Sequence, residues 1–282
     1  MGFAPNLLHP SILVSFFFAT FANSHYHTKG LIMKNLYNIN SLVTYSEQEI
    51  RTRNYLVETI ASKIRQILYR QNKAWQFYQI ESPCLIPKAY ISENYTSEDM
   101  YFVEKLDEVQ MCLKPETTSA SFAAAEDLLK EQSVLPPLCV WQHSKSFRRE
   151  QDQSLSHVRL KEFYQLEFQC IYNKTTKNNY QESCIEEIAQ MFMDILHLPI
   201  RIVLSDRLPA YSLKTIDIEV QNNQKWMEVC SVSLRKDFVY PYKINNNLCE
   251  FLVLEIALGT DRLLYNLEQV IEFHNLKVES LK

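Results

Sequence analysis

Three glycines in 282 residues are the tightest constraint this sequence places on its own fold. They are Gly2, Gly30 and Gly259, so only one lies beyond the N-terminal segment. Folds that cradle phosphates in a glycine-rich loop need several, both for positive φ and for close approach of the backbone to the anion. The P-loop and the dinucleotide-binding fingerprint are therefore excluded. Any anion this chain binds must be held by side chains. The same scarcity marks Gly259 as a place where close approach or a positive φ is expected.

The remaining composition is that of an ordinary globular protein, with 46% hydrophobic and 22% charged residues. This length allows one large domain with a sizeable core, or at most two small ones. The net charge of −4 gives no global attraction to nucleic acid or anionic membrane, so a polyanion partner would need a local basic patch. Seven cysteines (Cys84, Cys112, Cys139, Cys170, Cys184, Cys230 and Cys249) are scattered singly, without a C-x-x-C pair. That pattern predicts reduced, mostly buried thiols in a cytosol-like compartment, with neither a disulfide framework nor a zinc site.

Residues 1–32 differ from the rest of the chain. Ile12 to Ala22 is an apolar run too short to span a bilayer, so no stable membrane span is expected. No lysine or arginine precedes the run and no small-x-small cleavage site comes after it. Three readings of this N-terminal extension stay open: sequence upstream of a working start at Met33, a targeting peptide, or a membrane-associating arm.

From Ser46 the pattern turns helical. Val57, Ile60, Ala61, Ile64, Ile67 and Leu68 recur at helical spacing, and Ser46 with Glu49 has the spacing of a capping box. Residues 75–87 read as strand-like, and 118–131 as an alanine-rich helix capped by its threonines and serine. Residues 138–150 and 159–172 read as two extended runs joined by a polar loop. A helix over 180–198 is stopped by Pro199. Strands come next over 200–204, 215–220, 226–233 and 250–256, with a terminal helix after Gly259. Strands in adjacent runs with helices between them predict an α+β domain, an antiparallel sheet flanked by helices.

The segment richest in chemistry is Phe147-Arg148-Arg149-Glu150, a loop, then Arg159 to Glu167. In a hairpin, Arg148 and Glu150 would point one way, as would Arg159, Lys161, Phe163, Gln165 and Glu167. Arginine binds phosphate oxygens bidentately, and a ring beside it can stack on a purine. A solvated face laced with weak ion pairs has the same pattern, so these residues alone leave both readings open. His143 and His157 lack metal-ligand spacing and read as structural or solvent-facing.

F-R-x-E, a loop, then R-x-x-x-F-x-x-x-E resembles motif 2 of class II aminoacyl-tRNA synthetases. Phe77-Tyr78-Gln79-Ile80-Glu81-Ser82-Pro83-Cys84-Leu85 resembles motif 1, and Ala257-Leu258-Gly259-Thr260-Asp261-Arg262 resembles motif 3. The three stand in the family's order over about residues 46 to 275. Within the class the chain looks most like the glycyl-tRNA synthetases. Leu113-Lys114-Pro115-Glu116-Thr117-Thr118 resembles their L-R-P-E-T-A, and Ser146-Phe147-Arg148-Arg149-Glu150 their S-F-R-N-E. Trp226-Met227-Glu228 resembles their W-I-E strand, and Glu255 stands where their E-P-S begins.

The resemblance implies a catalytic domain over 33–282 that uses ATP to activate a small, glycine-like amino acid and passes it to tRNA. Arg148 would hold the α-phosphate, Glu150 the adenine edge, and Phe163 would stack on the base. Arg159 and Arg262 would reach the γ-phosphate of a bent ATP, with Arg148 and Arg262 as the catalytic pair. Glu116, Glu167, Glu228 and Glu255 would receive the amino acid, and Mg²⁺ would bridge the phosphates. A cytoplasmic homodimer built on motif 1 is also implied, and the apolar face of the first helix offers a means of pairing.

Three departures bear on these expectations. Ala257 stands where the glycyl enzymes carry serine. The 151–158 loop lacks their arginine and glycine. The sequence ends at Lys282, so the reading expects no anticodon-binding domain. A ligase that loads a carrier protein, and a non-catalytic synthetase-like binding or regulatory subunit, therefore stand as alternatives. Joint retention of three arginines and the stacking phenylalanine favours ATP binding, because a partly buried guanidinium without an anion costs desolvation.

Overall fold

A computed structural model describes residues 42–91, 95–131, 134–149, 158–206, 208–222, 224–244 and 247–267, all within the unit Met33–Lys282. The expectations for 1–32, for Glu150 and the loop after it, and for His157 lie outside the described residues.

Helix α1 (Glu47–Gln71) starts where the capping residues predict. Ser46 Oγ accepts from the Glu49 amide at 3.2 Å, and Glu49 Oε2 accepts from the Ser46 amide at 2.5 Å. Ser46→Ala removes half of this box and is expected to cost about 1 kcal/mol. Urea unfolding should show a lowered midpoint with an unchanged m-value. An unaltered midpoint would mean the helix start is fixed by packing alone.

The strands are β1 (Gln76–Gln79), β2 (Leu85–Pro87) and β3 (Met111–Leu113), then, after helix α2 (Thr118–Lys130), β4 (Leu138–Phe147) and β5 (Glu162–Asn173). Helix α3 (Tyr180–Leu196) precedes β6 (Ile200–Leu204), β7 (Ser212–Asn222), β8 (Lys225–Arg235), β9 (Lys243–Ile244), β10 (Asn247–Leu248) and β11 (Phe251–Gly259). Among the described residues seven strands form one sheet in the order β1-β4-β5-β11-β8-β7-β6. Each neighbouring pair is antiparallel except β1 with β4, which run parallel. The expected antiparallel sheet thus gains one parallel edge strand, made possible by the long crossover through β2, β3 and α2.

The back of the sheet is apolar and covered. Trp141, Phe168, Cys170, Ile218, Cys230 and Ile256 are buried there. Helices α1 and α3 pack against each other, and Arg53 and Arg65 of α1 lie over the rings of Tyr164 and Trp141. Leu56, Val57, Ile60, Ala61, Ile64, Ile67 and Leu68 are consequently buried within the chain itself. This corrects the idea that the apolar face of α1 pairs with a second copy: the sheet needs a lid, and α1 is that lid.

The front face changes character halfway along each strand, and this change places the site. Successive front positions read Leu138, Val140, Gln142, Ser144 on β4, then Ile171, Gln169, Glu167, Gln165 on β5, and Phe251, Val253, Glu255, Ala257 on β11. The apolar ends are buried under α2, where Ala125 and Leu129 join Leu138, Val140, Ile171 and Val253 in one core cluster. The polar ends have no helix above them among the described residues.

Three local expectations are corrected. Thr117 makes no side-chain cap on α2, because its hydroxyl and that of Thr118 donate to Glu167 instead. Helix α3 stops at His197, left-handed with φ 52°, before Pro199 is reached. Gly259 has no positive φ, and a Cβ there would meet only Arg262 methylenes at 3.9 Å. All seven cysteines are free thiols, six of them buried. Among the described residues no helix is long and apolar enough to cross a membrane.

Candidate functional site

Where the cover of α2 ends, the front face opens into a cavity of about 740 Å³. Five strands pave its floor: Phe163, Gln165 and Glu167 of β5, Glu255, Ala257 and Gly259 of β11, Glu228, Ser231 and Arg235 of β8, Asp217 and Glu219 of β7, and Arg201 of β6. Tyr95, Glu116, Arg148, Arg159 and Arg262 also line it. Of the nine site residues singled out in the sequence, eight share this cavity; Glu150 lies outside the described residues. Lys161 does not join the lining stripe, since β5 begins at Glu162 and the alternation starts there.

One side of the cavity is cationic. Arg148 Nε donates to the Pro115 carbonyl at 2.9 Å and Nη2 to the Tyr95 hydroxyl at 3.0 Å. Its guanidinium carbon lies 5.1 Å from the Phe163 ring centre and 5.4 Å from that of Tyr95. These two neutral acceptors and two rings fix the fork in the cavity wall, oriented for an anion that enters. Arg262 lies three residues past the end of β11, in the first turn of the helix that begins at Thr260. It donates to the Glu228 carbonyl at 3.0 Å and stands 3.6 Å from Glu228 Oε1. The preceding residue, Asp261, anchors this turn from behind, accepting from the Tyr45 hydroxyl and the Tyr164 amide at 2.6 Å each. Burial pushes its carboxyl up, opposed by those hydrogen bonds.

The other side is a carboxylate cage. Glu167 accepts from Thr117 and Thr118 at 2.8 Å, from Gln165 at 2.8 Å and from Gln169 at 2.6 Å. Glu255 pairs with Arg235 and accepts from Gln169 at 2.7 Å. Arg235 has only 2% of its side chain exposed, holds Asp237 at 2.7 Å as well, and stacks 3.9 Å from the Tyr211 ring centre. Burial works against its charge, but Glu255 and Asp237 outweigh that, so its pKa rises. Glu228 stands apart from this cage, beside Arg262.

Glu116 completes the cage and, among the described residues, its carboxylate has no hydrogen bond or ion pair. Burial first, and the nearby Glu167 second, push its pKa up to about 7, against the pull of Arg235 and Arg148. Burial and Glu255 raise Glu167 too. The sign of the consequence is fixed: an ammonium ligand needs the ionised carboxylate, so binding strengthens as pH rises through about 7. Binding of a cationic ligand to this carboxylate is expected to strengthen about tenfold between pH 6 and pH 8, and Glu116→Gln should flatten that profile. A profile unchanged by the substitution would assign the titration to another group.

Sequence reasoning did not find Arg235, Asp217, Tyr95 or Tyr211, all of which line the cavity. For Arg235 a signal was present: front-face alternation along β8 carries Ser231 and Ser233 on to it, with Asp237 two residues beyond. Lys114 is 1% exposed and donates to Ser144 Oγ at 2.7 Å and to Ser82 Oγ at 2.7 Å, tying the turn at Ser82 to β4. His143 is structural, as read: it stacks on Tyr164, and burial and Arg53 push it down to about 4.

Residues 101–269 match the family model for the tRNA synthetase class II core domain (G, H, P, S and T). A glycine–tRNA ligase of Mycoplasma capricolum is 30% identical over 141 residues, covering 48% of this chain and 30% of the relative. That of Mycoplasmopsis synoviae is 25% identical over 169 residues, covering 54% and 38%. The chain thus spans about a third of the length of these relatives. Among solved structures, a prolyl-tRNA synthetase from Cryptosporidium parvum, complexed with halofuginone and AMPPNP, superposes with a TM-score of 0.65 at 15% identity, covering 84% of this chain and 49% of that one. A Giardia lamblia prolyl-tRNA synthetase in complex with prolyl-adenylate gives 0.63 at 15% identity, covering 92% and 53%. These two likenesses show the fold.

Proposed function

The chain belongs to the class II tRNA synthetase core-domain family, and on that premise we propose that it activates a small amino acid with ATP and transfers it to the acceptor end of a tRNA. The observation that carries this is one cavity with a fixed guanidinium group beside an aromatic ring on one side and a carboxylate cage on the other. Adenine stacks on Phe163, and Arg148 holds the α-phosphate. Arg159 and Arg262 take the distal phosphates. The cage of Glu116, Glu167 and Glu255 outnumbers Arg235 in charge, and the substrate's ammonium group offsets part of the excess.

Held this way, a carboxylate oxygen of the amino acid attacks the α-phosphorus in line. The bond from that phosphorus to the bridging oxygen breaks, and pyrophosphate leaves. No side chain has to move a proton at this step. Rate comes from position and from Arg148 where negative charge grows. Magnesium, carried on the nucleotide, would neutralise phosphate charge, and Glu228, an oxygen ligand open to the cavity beside Arg262, is suited to share it. A tRNA hydroxyl then attacks the acyl carbon, and AMP departs.

We assign catalysis to 33–282 and treat 1–32 as an extension. The free thiols support a cytoplasmic setting. A homodimer would use a surface other than the covered face of α1; a monomer in sedimentation at micromolar concentration would remove that part of the reading. ATP–pyrophosphate exchange with each amino acid separately, followed by charging of tRNA, tests the whole. Exchange specific to one amino acid, followed by charged tRNA, supports it. Exchange without charged tRNA would move the acceptor to a carrier protein. A folded protein that neither exchanges nor binds ATP would leave a binding subunit.

A further inference from the structure

The cationic side of the cavity depends on how the chain leaves β11. The ladder between β11 and β5 ends at Gly259, which faces Gln165, and the chain turns into a helix at Thr260. One residue beyond that ladder on β5, the peptide groups of Tyr164 are taken by side chains instead. The Thr260 hydroxyl donates to the Tyr164 carbonyl at 3.3 Å, and Asp261 accepts from the Tyr164 amide at 2.6 Å. Thr260 and Asp261 are 0% and 2% exposed, so this clamp is built into the interior. It sets the direction in which the backbone runs on to Arg262, the next residue, which lines the cavity.

The second oxygen of Asp261 takes its partner from 216 residues away in the chain. Tyr45, directly before the Ser46 cap of α1, donates its hydroxyl to Asp261 Oδ1 at 2.6 Å. Burial and the charge of Asp261 push the Tyr45 pKa up, so the hydroxyl keeps its proton and stays a donor. Its ring meets that of Tyr164 edge-on, with centres 6.2 Å apart. Arg53 of α1, 5% exposed, lies 3.7 Å from the Tyr164 ring centre and 5.0 Å from that of Tyr45. Its Nε and Nη1 have no hydrogen-bond partner, so the two rings are its main support. Tyr45 therefore ties the start of α1 to the turn that carries Arg262. At its tip, Arg262 hydrogen-bonds and pairs only with Glu228 among the described residues. A phosphate that enters competes for those same donors, and the placement of Arg262 then rests on its backbone.

Resting on the adenylation reading above, we infer that Tyr45 is a positioning residue for the distal phosphates of ATP: through Asp261 it fixes the backbone from which Arg262 reaches them. Small misplacements of a phosphate-binding group are costly even when they arise far from the reacting atoms.

The test is calorimetric titration of ATP and of AMP, each with magnesium, into wild type, Tyr45→Phe, Arg262→Ala and the double variant. Tyr45→Phe keeps the ring that Tyr164 and Arg53 pack against and removes only the hydroxyl. ATP affinity should fall about tenfold, while AMP, which has no distal phosphate, should bind as it does to the wild type. In the Arg262→Ala background the same substitution should change ATP affinity by less than about twofold, since its effect runs through that arginine. Ser46→Ala loosens the start of α1 without touching Asp261, and it should leave the ratio of ATP to AMP affinity unchanged. Equal losses for ATP and AMP, an undiminished effect in Arg262→Ala, or the same change of ratio in Ser46→Ala would reduce Tyr45 to a structural role and overturn the inference. Wild-type affinity for both nucleotides in Tyr45→Phe would overturn it as well. A folded wild type that binds neither nucleotide would instead remove the adenylation reading on which it rests.

Discussion

Arg148→Ala is expected to lower amino-acid-dependent ATP–pyrophosphate exchange by about 10²–10³-fold, with a far smaller change in thermal stability. The expectation comes from how the side chain is placed. The Pro115 carbonyl, the Tyr95 hydroxyl and two rings, all neutral, are among the groups that orient it. The guanidinium is thus already set in the cavity wall where an α-phosphate gains negative charge in the transition state. Removing it costs the developing charge its stabilisation. The carbonyl and hydroxyl it leaves behind are groups that a water can satisfy. Arg148→Lys separates charge from shape: it keeps a cation but loses the planar fork, and an intermediate loss is expected. Equal activity in wild type, Arg148→Ala and Arg148→Lys would move the α-phosphate elsewhere and dismantle the assignment of this side of the cavity.

The sequence made this side legible because its residues sit on regular strands. Period-two alternation put Phe163, Gln165 and Glu167 on one face, and they share the cavity floor. It was less informative at the ends of elements. Lys161 fell out of the stripe because β5 starts one residue later, and Thr117 read as a helix cap because nothing local reveals that Glu167 competes for its hydroxyl. The apolar stripe of α1 was equally legible, but a stripe does not name what covers it, and here it is the sheet of the same chain.

Arg235 carries the largest expected effect on stability. Its side chain is 2% exposed and is shared between Glu255 and Asp237, with the Tyr211 ring stacked on it. Arg235→Met preserves much of the volume and removes the charge, leaving the Glu255 carboxylate buried without its cation. Breaking one partner of a buried pair costs about 3–5 kcal/mol, more than the intact pair contributes, because the remaining charge stays desolvated. Unfolding in urea should register that loss, and exchange activity should fall with it, since Glu255 forms part of the cage. The double variant Arg235→Met, Glu255→Leu separates the two consequences. With no orphaned carboxylate in the floor, at least half of the lost stability should return, while activity should stay low because the cage is still broken. Recovery of neither would mean that Arg235 acts mainly through Asp237 and the Tyr211 ring. Recovery of both would mean that the ammonium group is held without Glu255, by Glu116 and Glu167 alone.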